Sequence, residues 1–110
     1  MMRILFSFAV AILCFGCTSP AVKITPLSEK EIDAQEAKAN IARGDFQKRD
    51  YKTAITKFEP LTTGSNVNTP MYLNELATCY LAAGDYDKAK KMFWRAHDYM
   101  EVFDPASEAQ

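Results

Sequence analysis

Few side chains in this sequence could do chemistry, and their spacing keeps them apart. The chain has 110 residues, one histidine and three cysteines. His97 falls mid-helix by pattern, one turn after Trp94, with no serine or cysteine set beside it. Hydrolytic catalysis needs a base, an orienting group and a nucleophile together, so a structural or semi-exposed histidine is expected instead. Cys79 lies 18 residues from His97 and no third strong ligand accompanies the pair, so no metal site is expected. Asp85 and Asp87 fit a helix N-terminus, where carboxylates cap free N–H groups and meet the positive end of the dipole. Lys88, Lys90, Lys91 and Arg95 form the densest basic stretch. The net charge is −1 and acids and bases are mixed, so this stretch reads as a solvated helix face, not a nucleic-acid or phosphate site. The expectation is no enzyme, no cofactor and no nucleic-acid partner. Whatever the protein does depends on its surfaces.

The pattern that must position those surfaces is helical throughout. Ser28 and Glu31 form an S-x-x-E capping box, and Leu27 with Ile32 provides the flanking apolar pair. The first helix then runs through Ala34, Ala37, Ala39, Ile41 and Ala42, a face of mostly small residues. It stops at Gly44 or continues through Phe46. Asp50 caps a second helix with Tyr51, Ala54, Ile55 and Phe58 at three- and four-residue steps. Pro60 bends or ends it, and a polar loop spans Thr62 to Thr69. Thr69-Pro70 predicts a third helix with Thr69 as the cap, carrying Tyr72, Leu73, Leu76, Ala77, Tyr80 and Leu81. Gly84-Asp85 is a stop followed by a fresh cap. The fourth helix carries Tyr86, Ala89, Met92, Phe93, Ala96, Met100 and Phe103 and ends near Asp104-Pro105. Seven Phe, five Tyr and one Trp argue for a packed domain.

The N-terminus has a different character. Met1-Met2-Arg3 precedes an apolar run from Ile4 to Phe15, too short for a spanning helix of about 20 residues but fitting for a signal peptide. Gly16-Cys17 follows, and this junction resembles a bacterial lipobox, in which the cysteine takes a diacylglyceryl group before cleavage. Leu13 lies one place further upstream than is usual there, and Phe15 is bulky. The resemblance implies residues 1–16 as signal peptide, lipidation at Cys17 and a tether over 17–27 that contains Pro20 and Pro26. Cleavage without lipid, an uncleaved anchor and a Cys14–Cys17 disulfide are alternatives. Thr18 after the cysteine implies sorting to the outer membrane of a bacterial envelope. With Cys17 lipidated, Cys79 is the one remaining thiol of the mature chain and is expected to be buried.

Two halves of the remaining sequence repeat. Arg49-Asp50-Tyr51 aligns with Gly84-Asp85-Tyr86, Ile41-Ala42 with Leu76-Ala77, and Ala54 and Phe58 with Ala89 and Phe93, every pair 35 residues apart. A fixed offset of this size marks stacked helical hairpins. On these residues the chain resembles the tetratricopeptide repeat family, with about 34 residues per repeat. The second repeat, from Pro70, matches through Leu76, Ala77, Tyr80, Gly84, Asp85, Tyr86, Ala89, Phe93 and Ala96. It has Leu73 where Trp is typical and Glu101 where Pro is common. The first, from Gln35, keeps Ile41, Ala42, Asp50, Tyr51, Ala54 and Phe58. It has Asp45 in place of an aromatic, Arg49 in place of the turn glycine and Leu61 in place of alanine. Arg49 enters a left-handed turn less cheaply than glycine, which predicts a different turn in the first hairpin.

The resemblance implies an all-α fold, two hairpins stacked as a short α-solenoid over residues 28–104, with a flexible tail at 105–110. It also implies a concave groove lined by Glu36, Arg43, Phe46, Gln47, Met71, Asn74, Thr78 and Leu81, with Ala39 and Ala82 beside them. Such a groove suits a peptide with apolar anchors but lacks the paired Lys and Arg that clamp a terminal carboxylate. A second candidate surface is the fourth helix at Trp94, His97 and Met100, with core filling as the alternative. The expected function is an envelope-anchored adaptor or scaffold that binds another envelope protein, as an accessory subunit of an outer-membrane assembly or secretion machine. The alternatives are a self-associating structural lipoprotein, a homodimer through the fourth helix, and a small regulator or inhibitor of one envelope enzyme.

Overall fold

The computed structural model describes residues 24–103, with side chains through Tyr99. The signal segment, Cys17, most of the tether, the side chain of Met100 and the 105–110 tail therefore lie outside the described residues. Four α-helices make up the fold: α1 (Glu29–Gln47), α2 (Tyr51–Phe58), α3 (Thr69–Ala82) and α4 (Tyr86–Phe103). Each packs on the next in sequence, so that two antiparallel hairpins stack through α2 and α3.

Alanines set the closeness of the stack. Ala39, Ala42, Ala54, Ala77, Ala89 and Ala96 are all buried. A methyl group at a crossing lets two backbones approach, and larger neighbours then fill the space on either side. Tyr72, Phe58, Leu73 and Leu76 do that filling. One core results, running from Ala39 in α1 to Ala89 in α4, with Phe46, Ile55 and Met92 packed at its margin.

The local signals act as the sequence suggests, with two adjustments, at the cap of α3 and at the first hairpin turn. Ser28 Oγ accepts the N–H of Glu31 at 3.2 Å. The Ser28 hydroxyl also donates to the Glu31 carboxylate at 3.0 Å. Gly44 does not stop α1, which continues to Gln47. Pro60 ends α2 by turning it into a 3-10 turn, Glu59–Thr62. The cap of α3 moves by one residue: Asn68 is the N-cap and makes no side-chain cap bond, while Thr69 begins the helix. Thr69 is instead committed to the loop. Its Oγ1 accepts the N–H of Asn66 at 2.9 Å and donates to the carbonyl of Gly64 at 3.0 Å.

The second adjustment is the first hairpin turn, which does not differ from the second hairpin's. Arg49 adopts φ 64° and Gly84 φ 86°, both left-handed. Arg49 N–H bonds the Phe46 carbonyl at 2.9 Å and Asp50 N–H bonds that of Asp45 at 2.9 Å. Thirty-five residues on, Gly84 N–H bonds Leu81 at 3.1 Å and Asp85 N–H bonds Tyr80 at 2.9 Å. This pair of bonds is the Schellman closure of a helix C-terminus. The next helix is then capped alike, Asp50 Oδ1 accepting from Thr53 N–H and Asp85 Oδ1 from Lys88 N–H, each at 3.3 Å. The surrounding bonds outweigh the penalty that Arg49 carries.

The loop between hairpins ties the residues before α1 to α4. Ser65 accepts the N–H of Thr25 at 2.6 Å through its carbonyl. Its hydroxyl lies 2.9 Å from that of Tyr99 in α4. The last tether residues, Ile24 to Leu27, are thereby docked beside this loop.

Candidate functional site

One face of the fold is built from α1 and α3. Glu36 and Arg43, two turns apart on α1, share one face of that helix. Arg43 meets Glu75 of α3 side-on, Nε to Oε1 at 2.6 Å and Nη2 to Oε2 at 3.0 Å. Its Nη1 bridges to Glu36 and also donates to Asn40 Oδ1 at 2.8 Å. Tyr72 OH donates to the second Glu36 oxygen at 3.0 Å. The Arg43–Glu75 and Tyr72–Glu36 contacts cross from the first hairpin to the second, so they tie the two hairpins together as well as setting the charge on the face.

The charges hold one another in their ionised forms. The Arg43 hydrogen bond draws the Glu36 carboxyl below its usual range, with burial opposing and Tyr72 adding to the effect. Glu75 and then Glu36 raise the Arg43 guanidinium. Burial, followed by donation to Glu36, pushes the Tyr72 phenol up to about 12.

Beside this network lies a cleft of about 350 Å³. Phe46, Phe58 and Cys79 form its apolar lining, with Arg43, Gln47, Glu75 and Thr78 as the polar part. Cys79 is buried, and burial with Glu75 nearby pushes its thiol up to about 11, so it lines the cleft as an apolar atom and not as a thiolate.

The structure brings together Arg43, Phe46, Gln47 and Thr78 of the residues expected in the groove. Glu36 joins them through Arg43. Met71 and Asn74 are exposed on α3 but do not line the cleft. Leu81 lines a different cleft, between α3 and α4. Ala39 belongs to the core and not to the groove. Glu75 went unnoticed in the sequence reading, although it follows Met71 by four and precedes Thr78 by three, the spacing of one helix face.

The second cleft, about 370 Å³, is lined by Leu81, Tyr86, Ala89, Phe93, Trp94 and His97 among others. Trp94 and His97 stack edge to face at 5.6 Å between ring centres. His97 Nδ1 lies 3.9 Å from an Asp98 carboxylate oxygen. Among the described residues no group of three His, Cys, Asp or Glu is placed to hold a metal ion. No helix among them is long and apolar enough to cross a membrane.

No family model matches the chain, and no curated protein or solved structure matches it.

Proposed function

We propose that this protein is an adaptor of the tetratricopeptide type, held at a bacterial envelope membrane by a lipid on Cys17, which binds a segment of another envelope protein in the cleft between α1 and α3. The observation that carries the proposal is the combination in that cleft of an apolar floor, Phe46, Phe58 and Cys79, with a fixed polar rim. A preorganised apolar pocket with few oriented polar groups is what a protein needs to hold one anchoring side chain of a peptide.

The rim also defines the partner. One guanidinium faces two carboxylates, Glu36 and Glu75, and both already occupy it. The face therefore carries an excess of negative charge and has no free cation to clamp a carboxylate. It favours a segment with an apolar anchor flanked by a basic or N–H-donating group. The tether would deliver this face to partners in or near the same membrane, as in an accessory subunit of an assembly or secretion machine.

Crosslinking in intact cells, detergent extraction, affinity capture and mass spectrometry test the proposal. One envelope protein should recur with the wild-type chain and be lost with Thr78→Arg, which fills the cleft from an exposed position. The captured chain should carry a diacylglyceryl Cys17. Equal capture by Thr78→Arg would refute the cleft as the binding site, and an unmodified Cys17 would refute the anchor.

A further inference from the structure

Among the described residues, the two ends of the stack carry sequence copies of the two sides of its internal junction. In the internal junction, α3 lies against α2 and buries Ala54 and Phe58. The residues that α3 contributes to that core include Tyr72, Leu76 and Cys79. The surface of α2 has its copy 35 residues later on α4, where Ala89 stays buried as Ala54 is but the large side chains beside it are exposed. Phe58 is 1% exposed, whereas its counterpart Phe93 is 39% exposed. Trp94, the counterpart of Glu59, is 59% exposed.

The ridge of α3 likewise has its copy on α1, at Ala37, Ile41 and Gly44. Leu76 is buried but its counterpart Ile41 is 59% exposed. Cys79 is buried, but a Cβ added at its counterpart Gly44 would meet no atom within 4 Å. So one end of the molecule presents the groove half of the junction and the other presents the ridge half.

Several positions of the two halves have changed size in opposite directions. On the ridge, Tyr72 is replaced by Ala37 and Cys79 by Gly44, leaving a slim helix with Ile41 at its centre. On the groove, Glu59 is replaced by Trp94 and Thr62 by His97, adding bulk, while Leu61 is replaced by the smaller Ala96. In the internal junction Tyr80 of α3 reaches Glu59, its hydroxyl donating to the carboxylate at 2.7 Å. At the ends this pair becomes Asp45 and Trp94, and the large partner moves from ridge to groove. Trp94 and His97 thus offer bulk where the ridge at Ala37 and Gly44 has lost it, the kind of match that interdigitated packing uses.

We infer that α1 of a second copy docks in the α3–α4 groove, Ile41 against Phe93 and Trp94, repeating the internal junction between molecules. The contact joins unlike surfaces, so each copy keeps one free groove and one free ridge, and assembly runs head to tail with no two-fold stop. This inference is independent of what the α1–α3 cleft binds.

The test uses the full chain in mild detergent, with micelles in large excess over protein, followed by sedimentation and by the emission of Trp94, the single tryptophan. The variants are Ile41→Asp and Trp94→Glu, both at exposed sites; circular dichroism and melting show that each is folded. For the wild type, mass should rise past two chains with concentration while Trp94 emission moves to shorter wavelength. Each variant alone should stay at one chain. Mixing them should give a species of two chains that grows no further, because only the Ile41→Asp groove and the Trp94→Glu ridge remain. Its formation should shift the emission of Trp94, which the Ile41→Asp chain alone carries. A wild type that stays at one chain throughout would overturn the inference. So would an Ile41→Asp variant that still dimerises by itself, the mark of two-fold pairing through α4.

Discussion

Exchanging the two turn residues gives the most discriminating prediction about the fold. Arg49 and Gly84 occupy the same left-handed position in turns with the same hydrogen bonds. A left-handed conformation costs a side-chain-bearing residue about 1–2 kcal/mol. Glycine escapes that cost but loses more backbone freedom on folding, about 0.5–1 kcal/mol relative to alanine. The balance predicts that Arg49→Gly stabilises the protein by about 0.5–1 kcal/mol, raising Tm by about 2–8 °C for a domain of this size. Gly84→Ala should lose a similar amount. The added Cβ meets no atom within 4 Å there, so the loss is conformational and not a clash. The double variant should return close to wild type. Arg49→Ala serves as the control, because it removes the Arg49 side chain beyond Cβ while keeping the left-handed penalty. Thermal and urea unfolding followed by circular dichroism measure all four. If Arg49→Gly matches Arg49→Ala, or Gly84→Ala is neutral, the left-handed turn is not what distinguishes these positions.

Three further outcomes follow from the packing. Gly44→Ala should add about 0.8–1 kcal/mol by urea unfolding, because Gly44 lies inside α1 and its Cβ space is open. Ala89→Leu should lose about 1–3 kcal/mol by overpacking a buried crossing, while Ala34→Leu on the exposed side of α1 should change stability by less than about 0.5 kcal/mol. At high pH the unfolded chain gives up the Cys79 proton near its ordinary value of 9, whereas the folded thiol holds it to about 11. Stability is therefore complete below pH 9 and falls as pH rises toward 11, by about 1 kcal/mol at pH 10. Tyr72 and Tyr80, both raised to about 12, extend the loss further up the scale. Cys79→Ala should remove the first phase and leave the later one.

The hairpin plan was legible because each of its signals is local. The Asp50 and Asp85 caps, Gly84 and the alanines at crossings act within a turn or two of their own position, and the 35-residue offset then fixes the stack. What the sequence concealed was decided at longer range. Arg49 offers no local reason to turn left-handed. It does so because the Schellman bonds and the α1–α2 packing on both sides of it require a closed turn. Thr69 carries the usual sign of a cap, yet Gly64 and Asn66 hold its hydroxyl within the loop. The α1–α3 face was visible as a row of positions but not as a site. Its character depends on Glu75, which joins Arg43 across 32 residues of sequence. Leu81 fits the groove by helical spacing, but the approach of α4 places it in the other cleft.

The central claim is that the α1–α3 cleft receives a segment of another envelope protein, and a photo-crosslinking residue at position 78 in living cells tests it most directly. The control is the same residue at position 52, exposed on α2. One recurrent crosslinked envelope protein should appear from position 78, absent from position 52 and lost when Phe46→Glu places a charge in the cleft. Identical products from both positions, or a position-78 product unchanged by Phe46→Glu, would contradict it.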